Sequence, residues 1–191
     1  EESIPRQFDE VKKSLENKWG TNLFYIPYFQ ANTNTYAPLP KLKKLYEEAL
    51  AQENTVGLAV STRPDCISEE TADYLSELSK HTYLTVELGL QTVHNKTAEL
   101  INRCHTYQDF LHGYNLLHSR GINVCVHIIN GLPFETKEMM LQTVRYAGER
   151  SDGVKLQLLH VLRGTDLLSD YENGEFETLS LKQYLDILCD A

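Results

Sequence analysis

The chain has 191 residues, of which 41% are hydrophobic and 24% are charged, and these values predict one globular domain over residues 1–191. No apolar run is long enough to cross a bilayer and no signal-peptide pattern opens the sequence, so we expect no membrane partner. The net charge of −9 argues against broad electrostatic binding to nucleic acid. The four cysteines lack metal-ligand spacing, which predicts no metal site and favours reduced thiols in a cytoplasmic protein; they are Cys66, Cys104, Cys125 and Cys189.

Helices and strands alternate along the sequence. Apolar residues at helical spacing predict helices over 4–19, 95–103, 107–120 and 136–149, and further helices that start near Pro40, Ser68 and Ser180. Ser68, Thr106 and Thr136 are residue types that cap the amino ends of helices. The predicted strands cover 24–30, 56–61, 84–91, 123–130 and 154–162, and Pro27 weakens the first of them.

Five strands that alternate with helices predict an α/β fold with a parallel sheet and right-handed crossovers. We expect a partial (β/α)6 barrel of the TIM type. Folds of this kind normally begin with a strand, whereas this sequence begins with a helix, so we expect the first strand of the domain to precede Glu1. The strand at Phe24–Gln30 would then lie at an exposed sheet edge, where another chain can pair with it.

Polar residues gather at the carboxyl ends of the predicted strands, which form the ligand face of such sheets. They are Gln30, Asn32, Ser61, Arg63, Glu87, Gln91, His127, Asn130, Gln157, His160 and Arg163. A structural sheet does not need polar groups at all five ends, so the set favours a binding rim. Each residue taken singly also has a purely structural interpretation. Gln91 can be a strand-end residue that hydrogen-bonds to its own loop, and His127 can be a core histidine whose hydrogen bonds are satisfied. Glu87 can be a carboxylate that pairs with an arginine. His105, beside a helix, is predicted to lie at the surface.

Six strings together resemble the radical S-adenosylmethionine (SAM) superfamily, in the branch of the Elongator catalytic subunit and oxygen-independent coproporphyrinogen oxidase. They are YFQANTNTYAP (28–38), STRPD (61–65), VELGLQT (86–92), LINRCHTYQDF (100–110), VHIINGLPFET (126–136) and KLQLLHVLRGT (155–165). Within this branch, the sequence is most similar to a bacterial group called Fe–S oxidoreductases. Cys104 and Phe134 depart from the pattern, since glycine is expected at both positions.

The resemblance implies SAM and a [4Fe–4S] cluster as cofactors, with a reductant such as flavodoxin or ferredoxin. In relatives a CxxxCxxC-type loop after the first strand holds the cluster. The present sequence has no such loop, so we expect the cluster ligands upstream of Glu1 and expect the 191 residues alone to be inactive. The complete enzyme would generate a 5′-deoxyadenosyl radical that abstracts hydrogen from a substrate. Similarity to the Elongator subunit implies a tRNA wobble uridine as that substrate.

The resemblance also implies a set of SAM-binding residues: Gln30, Ala31, Asn32, Ser61, Gln91, Arg103, His127, Leu162 and Arg163. The segment 30–32 would hold the methionine amino group, and Arg103 would hold the carboxylate through two guanidinium nitrogens. Ser61 and His127 would lie near the ribose, and residues 162–163 near the adenine. Arg63, Glu87 and His160 are substrate candidates, and no catalytic residue is assigned.

Three alternatives stay open at this point. Arg103 can be a residue at a helix carboxyl end, favoured by the helix dipole. The domain can be a metal-dependent lyase or hydrolase that uses His127, His160 and Glu87. It can also be an inactive scaffold that binds a partner.

Overall fold

The computed structural model describes residues 3–30 and 32–191. The helices are α1 (Ile4–Trp19), α2 (Leu39–Leu50), α3 (Glu69–Ser79), α4 (Asn95–Leu100), α5 (Tyr107–His118), α6 (Lys137–Gly148), α7 (Asp166–Glu172) and α8 (Leu181–Asp190). The strands are β1 (Tyr28–Phe29), β2 (Gly57–Thr62), β3 (Tyr83–Gln91), β4 (Asn123–Asn130) and β5 (Gly153–Leu158). A short 3₁₀ turn, Pro64–Cys66, follows β2.

The five strands lie side by side in chain order, and every neighbouring pair is parallel. Successive parallel strands joined by helices form an arc of a (β/α) barrel. The predicted α/β fold is therefore confirmed. β1 forms one edge of this sheet and β5 forms the other.

The helix starts follow from the capping residues. The Ser68 and Thr136 hydroxyl oxygens accept hydrogen bonds from the backbone N–H groups of Thr71 and Met139. Thr106 with Asp109, and Ser180 with Gln183, form reciprocal capping boxes. Each cap satisfies backbone donors that would otherwise lack a partner, and each lies where the sequence predicts a helix start.

The two edge strands are shorter than predicted. β1 keeps only Tyr28–Phe29 of the predicted 24–30, because Pro27 has no N–H to donate and the chain before it joins the sheet only at an isolated bridge between Tyr25 and Thr55. β5 ends at Leu158, where its neighbour β4 also ends at Asn130.

The segment around α4 also differs from the prediction. α4 ends at Leu100 rather than at 103, since the backbone φ angles of Asn102 and Cys104 are positive, at 50° and 64°. The short helix α7 was not predicted.

The core lies on the helix-covered face of the sheet. Every second residue of β3 and β4, from Leu84 and Val124 onward, is fully or almost fully buried. Helical side chains such as Tyr46, Leu75 and Leu117 close over them. This face follows from the period-two apolar pattern of the strands.

The opposite, inner face is polar and half-buried. It carries Glu87 from β3, His127 from β4 and Lys155 from β5, at positions that alternate with the core residues. No helix within the described residues combines the length and the apolar character needed to cross a membrane.

Candidate functional site

A cavity of about 430 Å³ lies at the carboxyl ends of β2, β3 and β4. Six of the residues singled out in the sequence line it: Asn32, Ser61, Arg63, Gln91, Arg103 and His127. Because parallel strands end at one edge of the sheet, polar residues distant in sequence meet there.

The other predicted residues lie elsewhere. Gln30, His160, Leu162 and Arg163 are exposed and do not line this cavity. Ala31 lies outside the described residues. Glu87 lies on the inner face of β3, two residues before the cavity-lining Gly89, and contacts His127 rather than an arginine.

Gln91 reaches the cavity through an unusual backbone conformation. Its φ is 58°, in the left-handed region, and the β3–β4 register shifts between Gly89 and Gln91. The bulge re-aims the side chain, as bulges near binding sites often do. Gln91 lies over Gly89, where an added Cβ would collide with its amide nitrogen. Oε1 of Gln91 is buried and has no partner among the described residues.

Arg103 is buried, with only 8% of its surface exposed, and most of its donors bind backbone carbonyls. Nη1 donates to the carbonyl oxygens of Leu90 and Thr92 at 2.7 Å, and Nε donates to that of His105 at 3.0 Å. Nη2 is buried and unpaired within the described part of the chain. The guanidinium therefore holds the end of β3 through Nε and Nη1, and of its nitrogens only Nη2 lacks a partner in the described chain, whereas the family resemblance implies a two-nitrogen contact with a carboxylate.

His105 is a cavity residue that the sequence analysis placed at the surface. Its Nε2 lies 3.0 Å from the carbonyl oxygen of Gly89, and Nδ1 is buried without a partner in the described chain. Burial, together with the Arg103 charge, lowers the pKa of His105. The neutral imidazole donates Nε2–H to the carbonyl, so Nδ1 is left as an acceptor. The only indication of this position in the sequence was that His105 lies two residues after Arg103, which the resemblance had already placed near the ligand.

Arg63 forms the rim of the cavity on the side of β2. Its Nε and Nη2 bind the two carboxylate oxygens of Asp65 at 3.0 and 2.6 Å, and Nη2 also donates to the carbonyl oxygen of Cys104. This pairing holds the pKa of Asp65 below its usual value, although partial burial acts the other way. Arg63 thus ties the loop after β2 to the loop that carries Arg103 and His105.

A hydrogen-bonded cluster lies on the inner face of the sheet beside the cavity, and we call it the Glu87 cluster: Tyr28, Glu87, His127 and Lys155. The Tyr28 hydroxyl donates to Oε2 of Glu87 at 2.5 Å, and His127 Nε2 contacts the same oxygen. Lys155 Nζ lies 3.2 Å from both that oxygen and the Tyr28 hydroxyl oxygen. Sequence reasoning missed Tyr28 and Lys155, because the strand pattern gives the face but not which side chains meet across four strands.

The ionisation of the Glu87 cluster follows from its contacts. Burial acts to raise the pKa of Glu87, but the Tyr28 hydrogen bond and the neighbouring His127 and Lys155 lower it overall. Burial lowers the pKa of His127 despite the nearby carboxylate. Burial acts to lower the pKa of Lys155, yet its bonds to Tyr28 and Glu87 raise it. The cluster therefore holds an ionised Glu87 and Lys155 beside a neutral His127.

The cavity residues fit SAM. Three buried atoms of cavity-lining residues lack partners among the described residues: Oε1 of Gln91, Nη2 of Arg103 and Nδ1 of His105. They are an amide acceptor, a charged donor and an imidazole acceptor, and SAM offers an ammonium, a carboxylate and ribose hydroxyls in return. Such orphaned polar atoms are costly unless a partner arrives.

The described residues do not fit an iron–sulfur cluster. No three of their His, Cys, Asp or Glu side chains lie close enough together to hold a metal ion. The four cysteines are unpaired, and Cys104 and Cys189 are exposed. The same result gives no support to the metal-dependent alternative, in which His160 would have joined His127 and Glu87.

Comparison with known proteins agrees with this arrangement. A profile described as "Radical SAM superfamily" matches residues 2–147, and one described as "Radical_SAM C-terminal domain" matches residues 151–191. YtqA of Bacillus subtilis is 46% identical over 96% of this chain and 57% of its own length. YhcC of Escherichia coli is 40% identical over 84% of this chain and 52% of its own length. The chain thus spans about half the length of these curated relatives.

More distant relatives and solved structures lie in the expected branch. A tRNA uridine(34) acetyltransferase of Methanocaldococcus jannaschii is 29% identical over 80% of this chain and 28% of its own length. The Elp3 structure from Methanocaldococcus infernus superposes with a TM-score of 0.64 at 25% identity, over 78% of this chain and 35% of that one. HemN, the coproporphyrinogen III oxidase of Escherichia coli, shares the fold with a TM-score of 0.60 at 20% identity, over 83% of this chain and 37% of that one.

With a superfamily profile matched over residues 2–147 and relatives at 46% and 40% identity, the chain belongs to the radical SAM superfamily, whose members are enzymes that use SAM and a [4Fe–4S] cluster.

Proposed function

We propose that this chain is the SAM-binding part of a radical SAM enzyme, and that SAM lies in the cavity at the ends of β2–β4. The observation that carries the proposal is that Gln91, Arg103 and His105 all line that cavity and that each holds a buried polar atom without a partner among the described residues. When bound together, the cluster and SAM supply a 5′-deoxyadenosyl radical that abstracts hydrogen from a substrate.

Each cavity residue has a defined task in this proposal. Arg103 Nη2 donates to the methionine carboxylate, because a guanidinium already fixed by three carbonyls makes a rigid charged donor. Oε1 of Gln91 accepts from a donor of the ligand, and Ser61 and His127 contact the ribose. Asn32 lies at the same cavity and serves the amino end of the methionine.

The 191 residues act as one domain in this proposal. β5 belongs to the segment that matches the C-terminal profile, yet it pairs along its whole length with β4 of the other segment. A sheet that crosses the boundary at residues 147–151 supports a single folding unit. The cluster and its reductant, a flavodoxin or ferredoxin, bind the full-length protein.

The substrate of the full-length protein is a tRNA uridine in this proposal. Its support is the similarity to a tRNA uridine(34) acetyltransferase and to an Elp3 structure. Because the chain carries a net charge of −9, we expect other parts of the full-length protein to supply the tRNA-binding surface.

The test uses the full-length protein, reconstituted anaerobically with iron and sulfide, with SAM and dithionite. We expect 5′-deoxyadenosine to form, and more of it to form when tRNA lacking the modification is added. Deuterium from labelled tRNA should enter the 5′-deoxyadenosine. A reconstituted protein with a four-iron chromophore that neither binds nor cleaves SAM would contradict the proposal, and stimulation by a protein or small molecule but not by tRNA would remove the tRNA assignment alone.

A further inference from the structure

The hydrogen bonds of the Glu87 cluster have only one consistent direction. A carboxylate can only accept, so Tyr28, His127 and Lys155 must all be donors to Oε2 of Glu87. Lys155 has no acceptor capacity, so it also donates to the Tyr28 oxygen, whose hydrogen is already directed at Glu87. His127 therefore donates from Nε2 to Glu87, whether its ring is neutral or doubly protonated.

This direction decides which nitrogen of His127 carries the proton. Burial lowers the pKa of His127, which favours the neutral ring at neutral pH, and the contact with Glu87 makes Nε2 the protonated nitrogen. Its Nδ1 is then unprotonated. His127 lines the cavity, and its contact with Glu87 is made through Nε2, which leaves Nδ1 for a further partner. A buried imidazole whose second nitrogen is fixed in this way presents a defined acceptor.

We infer that Glu87 is a positioning residue that holds His127 in its Nε2–H form, so that Nδ1 accepts a hydrogen bond from the ligand in the cavity. The ligand group at this point must therefore be a donor, and a ribose hydroxyl of SAM is the donor that the proposed function supplies; the naming of SAM rests on that function. A ligand that presents a carboxylate, carbonyl or phosphate oxygen at this point meets an acceptor and is rejected.

Tyr28 and Lys155 stabilise the ionised carboxylate of Glu87 in this largely buried position. The side chains of Glu87 and His127 are only 13% and 12% exposed, so an unpaired carboxylate there would be strongly disfavoured. The positive charge of Lys155, at 3.2 Å, compensates Glu87, and Lys155 itself stays 37% exposed. Residues from four strands thus fix one imidazole nitrogen.

The direct test is the protonation of His127, read by ¹⁵N NMR on full-length protein with labelled histidine imidazoles and no cluster. The His127 signals are assigned by their loss in a His127→Phe variant. We expect a protonated Nε2 and an unprotonated Nδ1 in the wild type. Glu87→Leu removes the acceptor of the Nε2–H group, so we expect the two ring signals to move toward each other, whereas the amide oxygen of Glu87→Gln can accept all three bonds and should keep the wild-type pattern. Cys125→Ser, directly opposite Glu87 in β4, is the matched control and should leave them unchanged.

A second measurement asks whether Glu87 acts through His127. In calorimetry with SAM on the reconstituted protein, Glu87→Leu should weaken binding about fivefold, the loss of roughly one hydrogen bond to the ligand. The same substitution in the His127→Phe background should change the affinity little. An Nδ1–H or doubly protonated His127 in the wild type, or an equal loss in both backgrounds, would overturn the inference. A wild type that binds no SAM would overturn the proposed function, while the NMR result would still decide the role of Glu87.

Discussion

Two residues beside the cavity hold backbone conformations that favour glycine. Cys104 and Phe134 have φ angles of 64° and 63°, in the left-handed region where a Cβ is strained. These are the two positions where the family resemblance leads one to expect glycine. The departure in sequence therefore places a residue with a Cβ in a left-handed conformation at each of these two positions.

Replacing Phe134 should relieve this strain. The side chain is 69% exposed, so its loss removes little buried apolar surface. We expect Phe134→Gly to raise the free energy of unfolding by about 1 kcal/mol, the strain of a left-handed residue less the added freedom of the unfolded chain. Urea unfolding measures it. Phe134→Ala is the control, since it truncates the side chain but keeps the strain, and a Gly variant no more stable than the Ala variant would refute the explanation.

His105 should make the protein sensitive to mild acid. Burial and the charge of Arg103 lower its folded-state pKa, while Asp65 and the Gly89 carbonyl act the other way. The unfolded pKa is about 6.5, so the stabilising contribution is complete above that pH and is lost as the pH falls through the lower folded value. His127, lowered by burial, acts in the same direction.

We expect His105→Gln to reduce the loss of unfolding free energy between pH 7.5 and pH 5.5. Glutamine keeps a donor for the Gly89 carbonyl but does not titrate. Urea unfolding at the two pH values measures the difference. An unchanged loss of stability in the variant would show that His105 is protonated as easily in the folded as in the unfolded protein.

Among the elements, β3 determines the site. Its apolar alternation, from Leu84 to Leu90, predicts both the strand and its buried face. The capping residues of the neighbouring helices α3 and α5 predict where those helices begin. The bulge at its end could not be predicted, because the alternation carries no sign of the positive φ at Gln91. That bulge is what turns the Gln91 side chain back over Gly89.

Gly89 should be required for the position of the Gln91 amide. A Cβ at Gly89 would collide with the amide nitrogen, which lies at the flexible end of its side chain and can move away at small cost in stability. We expect Gly89→Ala to weaken SAM binding about fivefold, the loss of roughly one neutral hydrogen bond. Calorimetry on the reconstituted full-length protein measures it.

Gly148 provides the matched glycine control. It lies at the end of α6 with open space around an added Cβ, so Gly148→Ala should leave the SAM affinity unchanged and slightly stabilise the fold. Equal affinities in the two alanine variants would mean that the Gln91 amide does not contact the ligand.

At the scale of the elements, the central strands were predictable and the edges were not. β3 and β4 are buried on one face over their full length, so the sequence pattern reports them well. The length of β1 depends on Pro27 and on its pairing with a single neighbouring strand, and the end of β5 depends on where β4 ends. Both are properties of the assembled sheet and not of the local sequence. For the same reason the strand-end positions of Gln91 and His127 could be predicted, and the family resemblance added Arg103, whereas the places of Tyr28, His105 and Lys155 could not be predicted.

At the scale of the whole molecule, the chain has a strand-end cavity, which we propose holds SAM, and no group of cluster ligands among its described residues. We predict that the 191-residue chain alone, treated anaerobically with iron and sulfide, binds no four-iron cluster. Ultraviolet–visible absorption and iron analysis measure it, with the full-length protein as the positive control. A stoichiometric cluster on the isolated chain would contradict our interpretation of its cysteines.

The sheet edge at β1 carries a further expectation. Phe24 and Ile26, just before β1, are 76% and 47% exposed. Pairing of a second copy along this edge stays a prediction, and sedimentation of the isolated chain with and without Phe24→Lys would measure it.

The most direct test of the central claim, that the strand-end cavity holds SAM, is the SAM affinity of Arg103→Lys in the reconstituted full-length protein. A lysine ammonium cannot serve the carbonyls of Leu90, Thr92 and His105 and also a ligand carboxylate. We expect binding to weaken by about 1.5–3 kcal/mol, the range for hydrogen bonds to charged groups. Arg120→Lys, at the opposite end of the sheet in a surface pair with Asp73, is the matched control and should bind as the wild type does. Wild-type affinity in a folded Arg103→Lys variant would contradict the assignment of this cavity to SAM.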